Sequence, residues 1–310
     1  MALLRRRRRA PSQGAADPTL EAVGTRVLDA AEEALGTRPS LVTAPAALPA
    51  GAGPDAYTVE VAADDPAWTG TLVVRTSPPT VLEAELSWMQ AAAERGFGVP
   101  QVLSEDAEYG LVVLRPPAGD NLANRMTSDL MALPSLLAGL GRLHAQLHAL
   151  PTEGLATCAD DTDDVICHGE LHPGHVYLDG DEVVGGVVAN WTGARLAEPA
   201  YDVGSTLAFF WSSPLFVDNL AQRQVLKLAR DSLASAYLAA YRASAARDVE
   251  DERLAHWQAH HLSLLAEDLE RYQREGATGP WDRAASVYRA DKALDELRDR
   301  RSELLSSGVV

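Results

Sequence analysis

The residue types that could do chemistry gather in Val165–Asp202, VICHGELHPGHVYLDGDEVVGGVVANWTGARLAEPAYD. The segment reads as a short strand, a loop of the pattern H-G-[acid]-x-x-x-x-[polar], and a β-hairpin. A second loop then ends in Asn190-Trp191, and an acidic-Pro turn opens a helix at Asp202. Glu170 is a carboxylate able to accept a hydroxyl proton. His175 and Asn190 stand at the other polar places; an amide oxygen can coordinate a cation but brings no charge. Asp179, Asp181 and Glu182 lie in LDGDE, the far turn of the hairpin, and read as turn and solvated residues. His144 and His148 lie four apart, which is also metal-ligand spacing, but no carboxylate accompanies them as a third ligand, so they read as packing residues. Cys158 and Cys167 have no metal-ligand spacing with a partner, and Cys167 reads as a small buried apolar residue.

The elements that must position this segment follow from periodicity. Residues 1–18 form a basic tail, disordered by composition. Leu20–Leu35 has apolar residues at helical spacing, and Ala56–Ala62 and Thr69–Thr76 alternate and are rich in Val and Thr, as adjacent strands are. Pro49–Pro54, with Gly51 and Gly53, makes the loop before the first of these. Val81–Arg95 reads as a helix ended by Gly96, followed by a strand at Gly110–Leu114. The stiff connector Arg115-Pro116-Pro117-Ala118-Gly119 divides a first lobe, 19–115, from a second, 116–310. In the second, Leu130–Leu150 reads as one helix, and the chain after Asp202 as helices near Val203–Trp211, Val217–Ala246, Glu250–Glu275 and Trp281–Leu305.

This order of motifs resembles the aminoglycoside phosphotransferase and choline kinase-like family, relatives of the protein kinases. The tracts His172-Pro173-Gly174-His175 and Asn190-Trp191-Thr192-Gly193-Ala194 are most similar to the macrolide phosphotransferases, and LGRLHAQLHALP resembles the family's first large-lobe helix. The resemblance covers nearly the whole chain after the tail, with its specific motifs in residues 75–205. It implies an α+β, bilobal protein-kinase-like fold with a small β-rich N-lobe and a large helical C-lobe. It further implies Mg²⁺ with ATP or GTP, and phosphoryl transfer to a hydroxyl of a small, cationic molecule such as an antibiotic.

Carried over residue by residue, the resemblance makes Glu170 the catalytic base and His175 with Asn190 the metal-binding pair. Arg75, Glu85 and Leu114 become nucleotide-binding, and His168 and Asp202 support the catalytic loop. Two departures weaken the set. Glu170 stands where the family has Asp, and its extra methylene displaces the carboxylate by more than roughly 1 Å, a misplacement that can cost ~10²-fold. Asn190 stands where the family has the Asp that carries the metal's principal charge. Lys227 and Lys292 are the only lysines and both lie near the C-terminus, so Arg75 takes the phosphate-binding cation's place. Glu83 rivals Glu85, and an ordinary surface Arg–Glu pair is the alternative. A catalytically impaired protein that binds nucleotide or ligand and regulates a protein partner is the second reading of the whole chain. A plain helix cap is the second reading of Asp202.

Composition narrows the partners. Of 310 residues 46% are apolar and 23% charged, as in ordinary globular proteins. Asp and Glu outnumber Lys and Arg by 44 to 27, giving a net charge of −17, with Arg5–Arg9 contributing five of the bases. Such acidity argues against nucleic acid as the main partner and suits a cationic small molecule. The Arg run lacks the apolar core of a secretory signal, and no apolar run reaches the ~18 residues of a membrane span. With reduced thiols expected, the chain reads as cytoplasmic.

Overall fold

Alternating Val and Thr residues make the centre of an antiparallel sheet from β3 (Ala56–Ala62) and β4 (Gly70–Thr76) in the computed structural model. The structure describes residues 20–47, 56–155, 164–178, 180, 182–216, 220–275 and 290–307. Two short strands, β1 (Ser40–Leu41) and β2 (Ala46–Ala47), both pair with β3. On the other side, β4 pairs with β6 (Leu111–Arg115), and β6 with β5 (Gln101–Asp106), giving the order β1-β3-β4-β6-β5. The sequence pattern foretold β3, β4 and β6. It missed β5, whose alternation is interrupted by a register shift between Val102 and Ser104.

The period-2 rule decides which side chains share a face. Leu72, Val74, Leu111 and Val113 turn into a core with Val23, Val27 and Ala31 of α1 (Leu20–Leu35), all spaced by four. Arg75 and Leu114 therefore lie on the opposite face, where Arg75 is directly opposite Val112 and Leu114 opposite Val73.

Helix α2 (Pro79–Glu94) ends at Gly96, where φ is +81° and the Gly96 and Phe97 amides close the last turn on Ala93 and Ala92 carbonyls. Contacts divide the chain into two units. The first holds Met1–Leu48, Asp55–Ala84 and Gln101–Pro116; the second holds Pro49–Pro54, Glu85–Pro100 and Pro117–Val310. Glu85–Pro100 thus groups with the second unit, where the sequence reading drew one cut after Arg115.

The second unit opens with β7 (Asp120–Asn121) and α3 (Leu122–Ser128), a helix not foreseen, capped by the Asn121 side chain accepting from the Ala123 amide. The helix expected at Leu130–Leu150 is α4 (Leu133–His148): Asp129 accepts from the Met131 and Ala132 amides in a turn, and Pro134 suits the first turn that follows. Then come β8 (Val165–Cys167), β9 (Val176–Leu178), β10 (Val187–Val188) and β11 (Arg195–Ala197). Among the described residues four helices follow: α5 (Pro199–Ser212), α6 (Leu220–Ser244), α7 (Asp251–Glu275) and α8 (Ala290–Ser307). The expected start of the last helix at Trp281 lies outside the described residues.

Helices α5, α7 and α8 share a core of Ala208, Trp211, Leu262, Leu269, Leu294 and Leu297. Helix α4 lies along α6 because Gly141 has no side chain: a Cβ there would sit 2.3 Å from the Tyr237 carbonyl oxygen. No described helix is long and apolar enough to cross a membrane.

Candidate active site

Three antiparallel pairs, Cys167 with Arg195, Ile166 with Leu196 and Val165 with Ala197, bring β8 beside β11. The two loops that leave this ribbon, 168–175 and 189–194, therefore start side by side. Gly169 lies at φ +86°, and a Cβ there would stand 2.5 Å from the Gly193 carbonyl, so only glycine lets them meet. The β9–β10 hairpin brings the far end of one loop to the start of the other: the Ala189 amide donates to the His175 carbonyl at 2.9 Å.

Asp202 organises the first loop. It is fully buried and lies within α5, one turn after the helix begins; Glu198 is the N-cap, so the plain-cap reading is corrected. Its Oδ2 accepts from the His168 amide at 2.6 Å and its Oδ1 from the Gly169 amide at 2.8 Å. Neighbouring hydroxyls of the same helix hold the next carbonyls: Ser205 donates to Gly169 and Thr206 to Leu171, at 2.8 and 2.6 Å. His168 completes the turn, with Nδ1 accepting from the Glu170 amide and Nε2 donating to the Ala189 carbonyl.

Behind Asp202 stands a second layer that the sequence reading missed. No carboxylate was expected beside His144 and His148, yet the fold supplies Asp202, and ligand-capable atoms of all three lie within 4.8 Å. His148 Nε2 donates to Asp202 Oδ2 at 3.4 Å, while His144 Nε2 stands 3.1 Å from the same oxygen, out of line for a good hydrogen bond. On their far sides Tyr237 and Tyr241 of α6 donate to the two Nδ1 atoms at 2.6 and 2.8 Å. The four-residue spacing of both pairs was the one signal available in sequence. Both carboxylate oxygens of Asp202 accept from protein donors, two of them loop amides, which makes the cluster a brace for the loop.

Burial sets the charges here. It drives His148 down to about 4, with His144 adding to the effect, and His168 down to about 3, with His175 adding. Burial alone would raise Asp202, but His144 and His148 hold its carboxyl well below the usual range. Burial pushes the Cys167 thiol up, which suits its place as an inert core residue.

Glu170, His175 and Asn190 meet at the open side of the loops. His175 is 4% exposed, and its Nδ1 donates to the Glu170 carbonyl at 2.9 Å. That bond fixes the hydrogen on Nδ1 and leaves the Nε2 lone pair outward. The Asn190 amide nitrogen stands 3.1 Å from this Nε2 and 3.3 Å from Glu170 Oε2, donating to both. Its Oδ1 accepts from the Thr192 hydroxyl at 3.1 Å. Asn190 is the one non-glycine described residue with positive φ, +66°.

Glu85 reaches the same loop. It occupies the buried stripe of α2 between Leu82 and Met89, is 3% exposed, and accepts from the Trp191 amide at 3.2 Å; Glu83 is exposed. Trp191 is fully buried and fixed by its indole N–H to the Val188 carbonyl. Asp179 and Asp181 lie outside the described residues. Taken as a cation site, Glu170, His175 and Asn190 offer one carboxylate, one imidazole and one amide. This fits a divalent ion of mixed oxygen and nitrogen preference, and falls short of the anionic oxygen an Mg²⁺ site uses.

An antiparallel sheet unit followed by a mainly helical unit carrying these two loops is the α+β protein-kinase-like fold. The sequence profile of the phosphotransferase enzyme family matches residues 46–164 and 155–234, and the chain belongs to that family. Among solved structures, it is similar to a choline/ethanolamine kinase family protein from Mesorhizobium loti (15% identity, TM-score 0.56, covering 91% of this chain and 99% of the other). It is also similar to aminoglycoside-3'-phosphotransferase of type VIII (18%, TM-score 0.53, 75% and 97%). A third is an amicoumacin kinase in complex with AMP-PNP and Ca²⁺ (12%, TM-score 0.52, 84% and 88%). At these identities the likeness shows the fold. No match was found among curated protein sequences.

Proposed function

We propose that this chain transfers the terminal phosphoryl group of ATP or GTP to a hydroxyl of a small, cationic molecule. The observation that carries the reading is the meeting of Glu170, His175 and Asn190 at one point, on a loop braced from behind by Asp202. Phosphoryl transfer asks mainly for positioning and charge neutralisation, and this arrangement supplies positioning.

In this mechanism Glu170 hydrogen-bonds the acceptor hydroxyl and takes its proton as the oxygen bonds to the γ-phosphorus. The bond from that phosphorus to the β-bridging oxygen breaks, and the nucleoside diphosphate leaves. Arg75, on the sheet face it shares with Leu114, binds phosphate oxygens, while Leu114 packs on the base. Glu85 holds the Asn190–Thr192 turn through the Trp191 amide. His168 and Asp202 keep Glu170 aimed. His175 and Asn190 would hold a divalent cation, which would supply charge neutralisation of the nucleotide's phosphates.

The second reading, an impaired enzyme that binds nucleotide and acts through a protein partner, is favoured by one feature. Asn190 turns its N–H₂ group, not its oxygen, toward Glu170 and His175. Glu170→Gln separates the two: in a phosphotransferase it lowers ATP turnover at least about a hundredfold while nucleotide still raises the melting temperature. Equal turnover in both proteins would remove Glu170 from the chemistry.

A further inference from the structure

We infer that the second unit holds a pocket for a small organic ammonium cation, placed behind the catalytic loop and coupled to it through the His148–Asp202 brace. A cavity of about 250 Å³ opens between the ends of α4 and α6 and the start of α5. His148 and Tyr241 line it, while Glu170, His175 and Asn190 do not, so a molecule held there lies apart from the phosphoryl-transfer site. A cavity of that size suits a charged head group with a body of a few carbons.

Charge chooses the ligand. Helix α4 ends at His148 and α6 at Ser244, and the residues just past both ends, Ala149 and Ala245 first among them, line the cavity. A helix C-terminus carries partial negative charge on its last carbonyls, so two negative helix ends converge here. The half-buried Asp164 and the exposed Glu153 add two carboxylates, against one guanidinium from the exposed Arg247. Helix α5 meets the cavity with Pro199, which offers no N–H to an anion. His148 adds no opposing charge, because burial holds its pKa down to about 4 and the ring stays neutral.

The wall beyond α4 is fixed from outside. Arg95 donates to the Pro151 carbonyl at 2.6 Å and to the Glu153 carbonyl at 3.0 Å, tying that stretch to the last turn of α2. A pre-formed pocket costs little ordering when a ligand enters.

Coupling follows from the hydrogen bonds behind the cavity. Tyr241 donates to His148 Nδ1 at 2.8 Å and His148 Nε2 to Asp202 Oδ2 at 3.4 Å. Asp202 in turn accepts from the His168 and Gly169 amides at 2.6 and 2.8 Å. An ammonium that donates to the Tyr241 oxygen makes its O–H a stronger donor, and each bond in such a chain strengthens the next. Occupancy therefore firms the turn that presents Glu170.

The test uses full-length protein and n-butylammonium, which has no hydroxyl and so cannot accept a phosphoryl group. Calorimetry is expected to show saturable binding, at least about tenfold tighter than for neutral butyramide and at least about tenfold weaker in Asp164→Asn. Ala246→Phe, a change at an exposed lining position, should fill the mouth and abolish binding. With the cation bound, hydrogen exchange of the His168 and Gly169 amides should slow several-fold in the parent and stay unchanged in Ala246→Phe. No saturable binding, equal binding of butyramide, or binding unaltered in both variants overturns the inference. Binding with no slowing of exchange overturns the coupling. The comparison of butylammonium with butyramide in the parent decides the ligand class even if a variant fails to fold. Neither readout depends on turnover, so a chain that turns over no ATP loses the proposed function and keeps the pocket.

Discussion

At φ +66° the Asn190 backbone is left-handed, a conformation that Asn and Asp adopt more readily than other side chains. Asn190→Asp therefore keeps the backbone turn while it adds a negative charge and removes the amide donor. A new carboxylate would face Glu170, which Asn190 now meets at 3.3 Å through a donated hydrogen bond. Without a divalent cation the two acids repel, and the variant should melt lower than the parent. With Mg²⁺ the order should reverse. A unit charge restored at about 4 Å from the cation is worth about 4 kcal/mol at intermediate dielectric, roughly a thousandfold if all of it reaches the transition state. The expected result is a large, Mg²⁺-dependent rise in ATP turnover, followed by coupled release of diphosphate. If turnover stays at the parent's level in Mg²⁺, charge at position 190 is not what limits the chain. Position 190 was legible in sequence as a departure from the family's Asp. Its orientation was not, because that depends on Thr192 and His175 acting on the amide together.

Between α4, α5 and α6 the second unit packs imidazoles around one buried carboxylate, and its stability carries a pH signature. His148 and His168 ionise near 4 and near 3 in the folded chain, against 6.5 for an ordinary histidine. Their neutral forms are thus favoured by folding, and the unfolded chain binds the extra protons. Stability is full above pH 6.5 and falls as pH drops below it, levelling off near 4 for His148 and 3 for His168. Each fully shifted histidine is worth on the order of 3 kcal/mol, and His148 and Asp202 act as one unit within that loss. Asp202, held low, keeps contributing until more acid pH. Urea melts stepped from pH 7.5 to pH 4 should be level down to about 6.5 and lose stability steadily below it; a flat profile throughout would show these imidazoles to be solvated. The same elements depend on Gly141. Gly141→Ala drives a methyl to 2.3 Å from the Tyr237 carbonyl, so α4 and α6 must part and the tyrosine bonds to His144 and His148 must lengthen. A loss of about 1–3 kcal/mol is expected in denaturant melts, with the melting midpoint lowered and the pH dependence blunted. Helix α1 was readable from apolar spacing, α2 with its Gly96 stop, and α5 and α7 were placed to within four residues of their ends. The brace was not, since its parts lie 93 residues apart and only packing reveals that two four-residue spacings match.

The chain carries a net charge of −17 on 310 residues, and under the proposed function a nucleotide would bring more negative charge to it. An acidic body slows the approach of anions and gathers cations, so the charge makes sense if the second substrate is the positive partner. Family membership supplies the reaction class and says nothing about this choice; the fold hosts acceptors of different kinds, and charge is the one global property here that discriminates among them. The consequence is a salt effect that depends on the acceptor. For a hydroxylated amine, kcat/KM should fall several-fold between about 20 and about 300 mM salt, as the screening length shrinks from roughly 20 Å to below 10 Å. Most of that change should be in KM. For a neutral alcohol of similar size the same titration should be nearly flat, because only the nucleotide term remains, and that is held constant by saturation. Equal salt dependence for both acceptors would mean that the acidity serves solubility and that the acceptor is chosen by shape. A steeper fall for the amine ties the acidic composition, the first thing the sequence shows at this scale, to the identity of the molecule that receives the phosphoryl group.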